Sequence, residues 1–207
     1  MPRPHRSRLV PRKKPRQARA QVTVGSLLGA TARVLIARGW AGTTTNHIAE
    51  RAGVSVGTLY EYFPSKDALV AALVEQHLGE AEARLASLAA PLLAESTLEG
   101  VVRTIVTAMI DLHAASPRLH RVLFEEVPHP VAVRRRVRAM EDRHAHALAL
   151  LLKRFDVAHP IITARVVVEL LEALTHRWVV GADTELLPRV EMQRELERLV
   201  LAYVRTP

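Results

Sequence analysis

Three groups of residues in this chain have types that could do chemistry. Residues 53–57 read Gly-Val-Ser-Val-Gly, the spacing of a nucleophile elbow, in which a strained strand-to-helix turn exposes a serine hydroxyl. That chemistry needs a strand before Ser55, whereas Ile48 to Ala52 read as helix. A hydrolase is therefore not expected, and no catalytic residue is assigned. Ten histidines raise metal ligation. His144 and His146 are two apart, so on a helix they point about 200° from each other and cannot share an ion. Glu141 with His144, or His113 with a neighbouring helix, could contribute, but no pair has ligand spacing on one helix face. Neither a metal nor a cofactor is expected. Third, residues 1–20 hold eight basic side chains and no acid, the first acid being Glu50. The net charge is +8, and its whole excess lies in that arm. A basic arm on a neutral body suits a polyanion, most often nucleic acid, and Arg12, Lys13, Lys14 and Arg16 are its candidate contacts.

Composition bounds the rest. With 207 residues, 49% of them hydrophobic, the chain can bury a sizeable core. It has no cysteine, which removes disulfides, thiolate nucleophiles and cysteine-ligated metal sites together. No run of 18 or more uncharged apolar residues exists, so no spanning helix and no membrane partner are expected. Val22–Ile36 superficially resembles a secretory signal, but its apolar residues recur at helical spacing with polar interruptions. It reads as an amphipathic helix of a cytoplasmic protein.

The elements that must position these residues all read as helix, giving an all-α fold. Gly39 to Gly42 closes the first helix. Thr44 can cap a helix over 45–52, Ser55 one over 56–62 and Ser65 one running to about 90, before Pro91. Further helices are expected at 96–115, 118–127, 130–155, 160–181 and 188–205, with prolines at the breaks. Two short helices joined by a Gly-containing turn make a helix-turn-helix. Ile48, Ala49 and Ala52 can face Val54, Leu59 and Phe63 in a small core. The second helix would present Ser55, Val56, Gly57 and Thr58 to a DNA major groove, followed by Tyr60 and Tyr62.

Residues 43–69, TTTNHIAERAGVSVGTLYEYFPSKDAL, resemble the signature of the TetR family of transcriptional regulators, and the likeness extends over about 21–78. The resemblance implies an N-terminal three-helix DNA-binding unit and a C-terminal helical bundle for ligand binding and dimerisation. It implies boundaries at 1–20 (arm), 21–66 (helix-turn-helix domain) and 67–207 (bundle). It further implies a homodimer on a palindromic double-stranded operator, acting as a repressor released by a small-molecule effector. By matching position, Thr44 and Lys66 would contact phosphate. Ser55, Val56, Gly57 and Thr58 would lie in the groove, and Tyr60 and Tyr62 would pack on the sugar-phosphate backbone. Three residues depart from the pattern. His47 stands where an acid often caps, Val56 favours a thymine methyl over a hydrogen bond, and Glu61 puts negative charge on the reading helix. The net charge over 21–78 is zero, so the arm must supply much of any non-specific attraction. A ligand-independent architectural DNA-binding protein of the same fold is the alternative reading.

In the bundle, Arg134, Arg135, Arg136 and Arg138 form either a solvated face or a site for an anionic effector. Val166, Val167, Leu170 and Leu171, with Leu196, Leu199, Val200 and Tyr203, form wide apolar faces on the last two helices, and the resemblance implies a four-helix dimer interface there. The pocket would be lined by Val106, Met109, Ile110, His113, Phe124, Met140, His144, Leu148, Leu174 and Trp178, a lining suited to a hydrophobic or amphipathic molecule.

Overall fold

Apolar residues spaced by three and four, punctuated by Gly, Pro and hydroxyl caps, produce helix throughout the described residues of the computed structural model, 18–181 and 187–206. They are α1 (Ala18–Gly42), α2 (Thr45–Ala52), α3 (Val56–Tyr62), α4 (Lys66–Ala86), α5 (Ala89–Ala94), α6 (Leu98–Ala114), α7 (Pro117–Arg121), α8 (Val131–Leu152), α9 (Pro160–Thr175) and α10 (Arg189–Val204). A π turn (Val122–Glu126) follows α7, and another (His176–Val180) follows α9. The chain divides into two units. One holds residues up to Gly79 together with Arg121–Val133, and the other holds Glu80–His120 together with the chain from Arg134 onward. The first part of α4 and a later segment are grouped with the N-terminal helices.

In the N-terminal unit, Leu27, Ala30 and Val34 of α1 meet Ile48, Ala49, Leu59, Phe63, Ala68 and Leu69 in one core. α1 is long and apolar enough to cross a membrane by length and composition alone, but Leu27 and Ala30 are fully buried in this core. The hydroxyl caps sit where the sequence places them. Thr44 Oγ1 accepts from the His47 N–H (3.2 Å), Ser55 Oγ from Thr58 (3.0 Å) and Ser65 Oγ from Ala68 (3.2 Å). Each satisfies a donor that the first helical turn leaves unpaired, and is worth about 1 kcal/mol. Gly53 ends α2 in the left-handed region, φ 70°, the conformation that glycine adopts without steric cost.

α1 is broken rather than simply ended. Gly39 has φ 64° and ψ 179°, a region that is essentially glycine's alone. The turn is held from three sides. The Trp40 N–H donates to Glu126 Oε2 (2.9 Å), Lys66 Nζ donates to the Trp40 carbonyl (3.0 Å), and the Thr43 hydroxyl donates to the Gly39 carbonyl (2.6 Å).

In the C-terminal unit, α6 packs on α9, α10 and the π turn after α9. Its core joins Val102, Val106 and Ile110 to Leu148 and Leu152, Val167 and Leu171, and Met192, Leu196, Val200 and Val204. The long helix expected to reach Pro91 ends earlier. The Ser87 hydroxyl donates to the Arg84 carbonyl (2.6 Å), and Pro91 falls in the first turn of α5, where its missing N–H has no intrahelical partner to lose. Glu82 on α4 pairs with Arg136 and Arg143 of α8. The hydrogen bond from Arg136, with that from Arg143, prevails over desolvation and holds the Glu82 carboxyl at about 2.

Candidate functional site

The helix-turn-helix is assembled from its caps outward. Ser55 both ends the turn and caps α3, and its hydroxyl meets that of Thr58 at 2.9 Å. Ser55, Gly57 and Tyr60 are exposed and Thr58 is half-buried. The Tyr60 hydroxyl lies 3.1 Å from Thr45 Oγ1, fixing the ring against the start of α2. Val56 and Tyr62 are half-buried and pack against the core, so each divides its surface between the fold and solvent. Lys66 departs most from a pure phosphate role. Its ammonium donates to the Trp40 carbonyl and sits 3.7 Å from the centre of the Trp40 ring, a cation–π contact that fastens α4 to the end of α1. Thr44 is exposed and already caps α2. The missing acid at His47 leaves the cap intact, since only the His47 backbone N–H is needed, but His47 Nδ1 is buried without a hydrogen-bond partner. Residues before Ser55 belong to α2 and its turn, so the strand that a nucleophile elbow requires is not there. Arg12, Lys13, Lys14 and Arg16 lie outside the described residues.

The C-terminal unit differs more from expectation. Val167, Leu171, Leu196 and Val200 are at most 3% exposed and belong to the unit's own core, so they offer no face to a second chain. Val166, Leu170 and Leu199 are half-buried and Tyr203 is exposed. Helical periodicity finds an apolar stripe but cannot say which edge of it the same chain covers. Among the expected pocket residues, Val106, Ile110 and Leu148 are closed into the core, while Met109, Met140, His144, Leu174 and Trp178 are half-buried. Phe124 belongs to the N-terminal unit, where it lies against the rings of His77 and His129. An apolar cavity between α6, α8, α9 and α10 measures about 10 Å³, and of the expected pocket residues it takes in Leu148 alone. It is no larger than one water needs.

A polar constellation stands out instead. His113, on α6, is 1% exposed. Its Nδ1 is 2.9 Å from the Met109 carbonyl and 3.3 Å from the Thr175 hydroxyl, and its Nε2 is 3.3 Å from Glu172 Oε1. Burial opposes charge on His113, but the hydrogen bond and negative charge of Glu172, with the Met109 carbonyl, outweigh it and raise its pKa. Burial likewise works against the Glu172 carboxylate, and His113 more than offsets it, so the Glu172 pKa is lowered. For His144, burial and the Arg143 charge push the pKa down. His120, near the end of α7, and His176, opening the π turn after α9, bring their rings to within 4.8 and 6.2 Å of the His113 ring, centre to centre. Of these, sequence reading singled out His113 alone. His120 and His176 carry no signal in one-dimensional spacing, because the three rings come from three separate elements.

Comparisons with known proteins place both units. The family profile described as bacterial regulatory proteins, tetR family, matches residues 18–73, and that described as tetracyclin repressor-like, C-terminal domain, matches 97–203. An uncharacterized HTH-type transcriptional regulator of Bacillus subtilis (strain 168), YvkB, is 43% identical over 51 residues, which span 25% of this chain and 27% of that protein. A TetR-like transcriptional regulator from Rhodococcus sp. RHA1 is similar in structure, with a TM-score of 0.63 and 25% identity over 91% of this chain and 97% of that one. The transcriptional regulator FadR from Bacillus subtilis, solved in complex with stearoyl-CoA, has a TM-score of 0.65 at 16% identity, over 87% of this chain and 99% of that one.

Proposed function

The chain belongs to the TetR family of bacterial transcriptional regulators, and from that premise we propose that it is a homodimeric repressor of a bacterial cytoplasm. In this reading it binds a palindromic operator and releases it when a small hydrophobic or amphipathic molecule enters the C-terminal unit. The observation that carries the reading is the start of α3. Ser55, Gly57 and Thr58 are small or hydroxyl residues that let backbone approach base edges and phosphates, on a helix whose opposite face is locked by Leu59 and Phe63. Thr44 and Tyr60 flank it as phosphate and sugar contacts, and Val56 offers what its packing leaves free to a thymine methyl. Lys66 keeps donor capacity for phosphate beyond its bond to Trp40.

The dimer would use the outer edge of α9 and α10, where Ile162 and Tyr203 are exposed and Val166, Leu170 and Leu199 half-buried, and a two-fold pair suits a palindrome. A ligand of the acyl kind that the Bacillus subtilis FadR structure holds would need far more space than the water-sized cavity between α6, α8, α9 and α10 offers. The basic arm would add phosphate contacts. Deleting residues 1–15 should weaken DNA binding and flatten its salt dependence by about 0.9 per lost phosphate contact.

The reading is tested by selecting bound fragments of the source genome in vitro at about 150 mM salt, where non-specific binding is weak. Enrichment of a short palindrome, lost in Thr58→Ala with Gly57→Glu, is expected. Diffuse recovery without a motif would instead favour the ligand-independent architectural protein.

A further inference from the structure

His113, His120 and His176 each offer a ring nitrogen, and these three atoms lie within 4.8 Å of one another. We propose that they form a binding site for a divalent transition-metal ion of the zinc class, its fourth position completed by Glu172 once that carboxylate, 3.3 Å from His113 Nε2, turns toward the other two rings. This inference goes beyond the regulatory reading and does not depend on it.

The donor set fits that ion. Imidazole suits zinc, nickel, copper and cobalt, and three imidazoles with one carboxylate make a four-coordinate set of intermediate softness. The orientation of His113 fits as well. Its Nδ1 faces the Met109 carbonyl at 2.9 Å, the kind of outer contact that holds a proton on one nitrogen and leaves the lone pair of the other for a metal. The Thr175 hydroxyl donates to the Leu171 carbonyl (2.5 Å) and turns a lone pair to the same Nδ1. On the other side of the ring, Nε2 and Glu172 Oε1 are 3.3 Å apart. Ligand atoms on a tetrahedron with bonds of 2.0–2.1 Å are separated by about 3.3–3.4 Å, so this pair already has the length of one edge. The nitrogens of His120 and His176, within 4.8 Å of their neighbours, need to draw in by about 1.5 Å at most to reach the same spacing. His176 opens a π turn, a helical irregularity that recurs at functional sites, and His120 lies next to the end of the short helix α7. The ion would tie α6, α7 and the end of α9 together within one unit.

The test uses the untagged full chain, stripped with a chelator and titrated with zinc by calorimetry. One zinc per chain is expected, with a higher melting temperature on binding. Affinity should fall at least about 100-fold in His120→Gln and in His176→Gln, and stay unchanged in His146→Gln, an exposed histidine of α8. Failure of zinc to bind, or equal affinity in the His120 and His176 variants, would overturn the proposal. Should either variant fail to fold, cobalt bound to the unaltered protein decides. Intense visible absorption marks four-coordinate nitrogen and oxygen ligation; weak absorption of a six-coordinate ion overturns the site.

Discussion

The two units differ in how far apart along the chain their important contacts lie. In the reading unit, Thr44 caps through a residue three positions on and Ser55 through another three positions on. In the bundle, Glu172 and Thr175 reach His113 from 59 and 62 positions away. Capping is local chemistry, so residue type and spacing disclose it. Convergence of histidines depends on how three helical segments cross. The same contrast holds for packing. The small N-terminal core uses nearly one face of each short helix, whereas α9 and α10 carry apolar surface on more than one side, part turned inward and part left uncovered.

The largest effects should come from emptying either core. Leu59→Ala and Leu196→Ala each remove a fully buried side chain and should cost about 2–5 kcal/mol. Calorimetry sharpens the comparison: Leu59→Ala should abolish DNA binding while leaving the bundle's unfolding largely in place, and Leu196→Ala should lower the bundle's transition. A single transition displaced equally by both would show that the two units unfold as one.

Gly39→Ala comes next. The added Cβ would lie 2.7 Å from Glu126 Oε2, which a flexible carboxylate can relieve, but the backbone conformation cannot be relieved. The expected loss is about 1–3 kcal/mol, read as a lower denaturant midpoint with an unchanged slope. Thr44→Ala should cost about 1 kcal/mol from the lost cap. If Thr44 also meets phosphate, operator affinity falls by more than that loss of stability explains, and Thr44→Ser restores both.

The smallest effect is electrostatic and belongs to the bundle. Glu82 has a folded pKa of about 2 against an ordinary 4.5, so its pairing with Arg136 and Arg143 stabilises the fold above pH 4.5. That contribution fades as pH falls from 4.5 through about 2. Because Arg143 is more than half exposed, solvent screening reduces it to about 1 kcal/mol. Glu82→Gln should flatten the pH dependence of stability across that window and leave it unaltered near neutrality in slope. An unchanged acid limb in the variant would mean the pair contributes nothing.

Much of this molecule was decided by sequence alone. Helix existence, the hydroxyl caps at Thr44, Ser55 and Ser65, the glycine turns and the buried set Ile48, Ala49, Leu59 and Phe63 follow from rules that act within one or two helical turns. So does the family resemblance, because its motif is a contiguous stretch. Tertiary structure decided what those rules leave free. It sent Val167, Leu171, Leu196 and Val200 inward, closed Val106 and Ile110 into the same core, and took Phe124 and Arg121–Val133 into the N-terminal unit. It turned Lys66 onto Trp40 and set His120 and His176 beside His113. An apolar stripe or a lone histidine specifies only that a partner is needed; which partner it meets is fixed by how the helices cross.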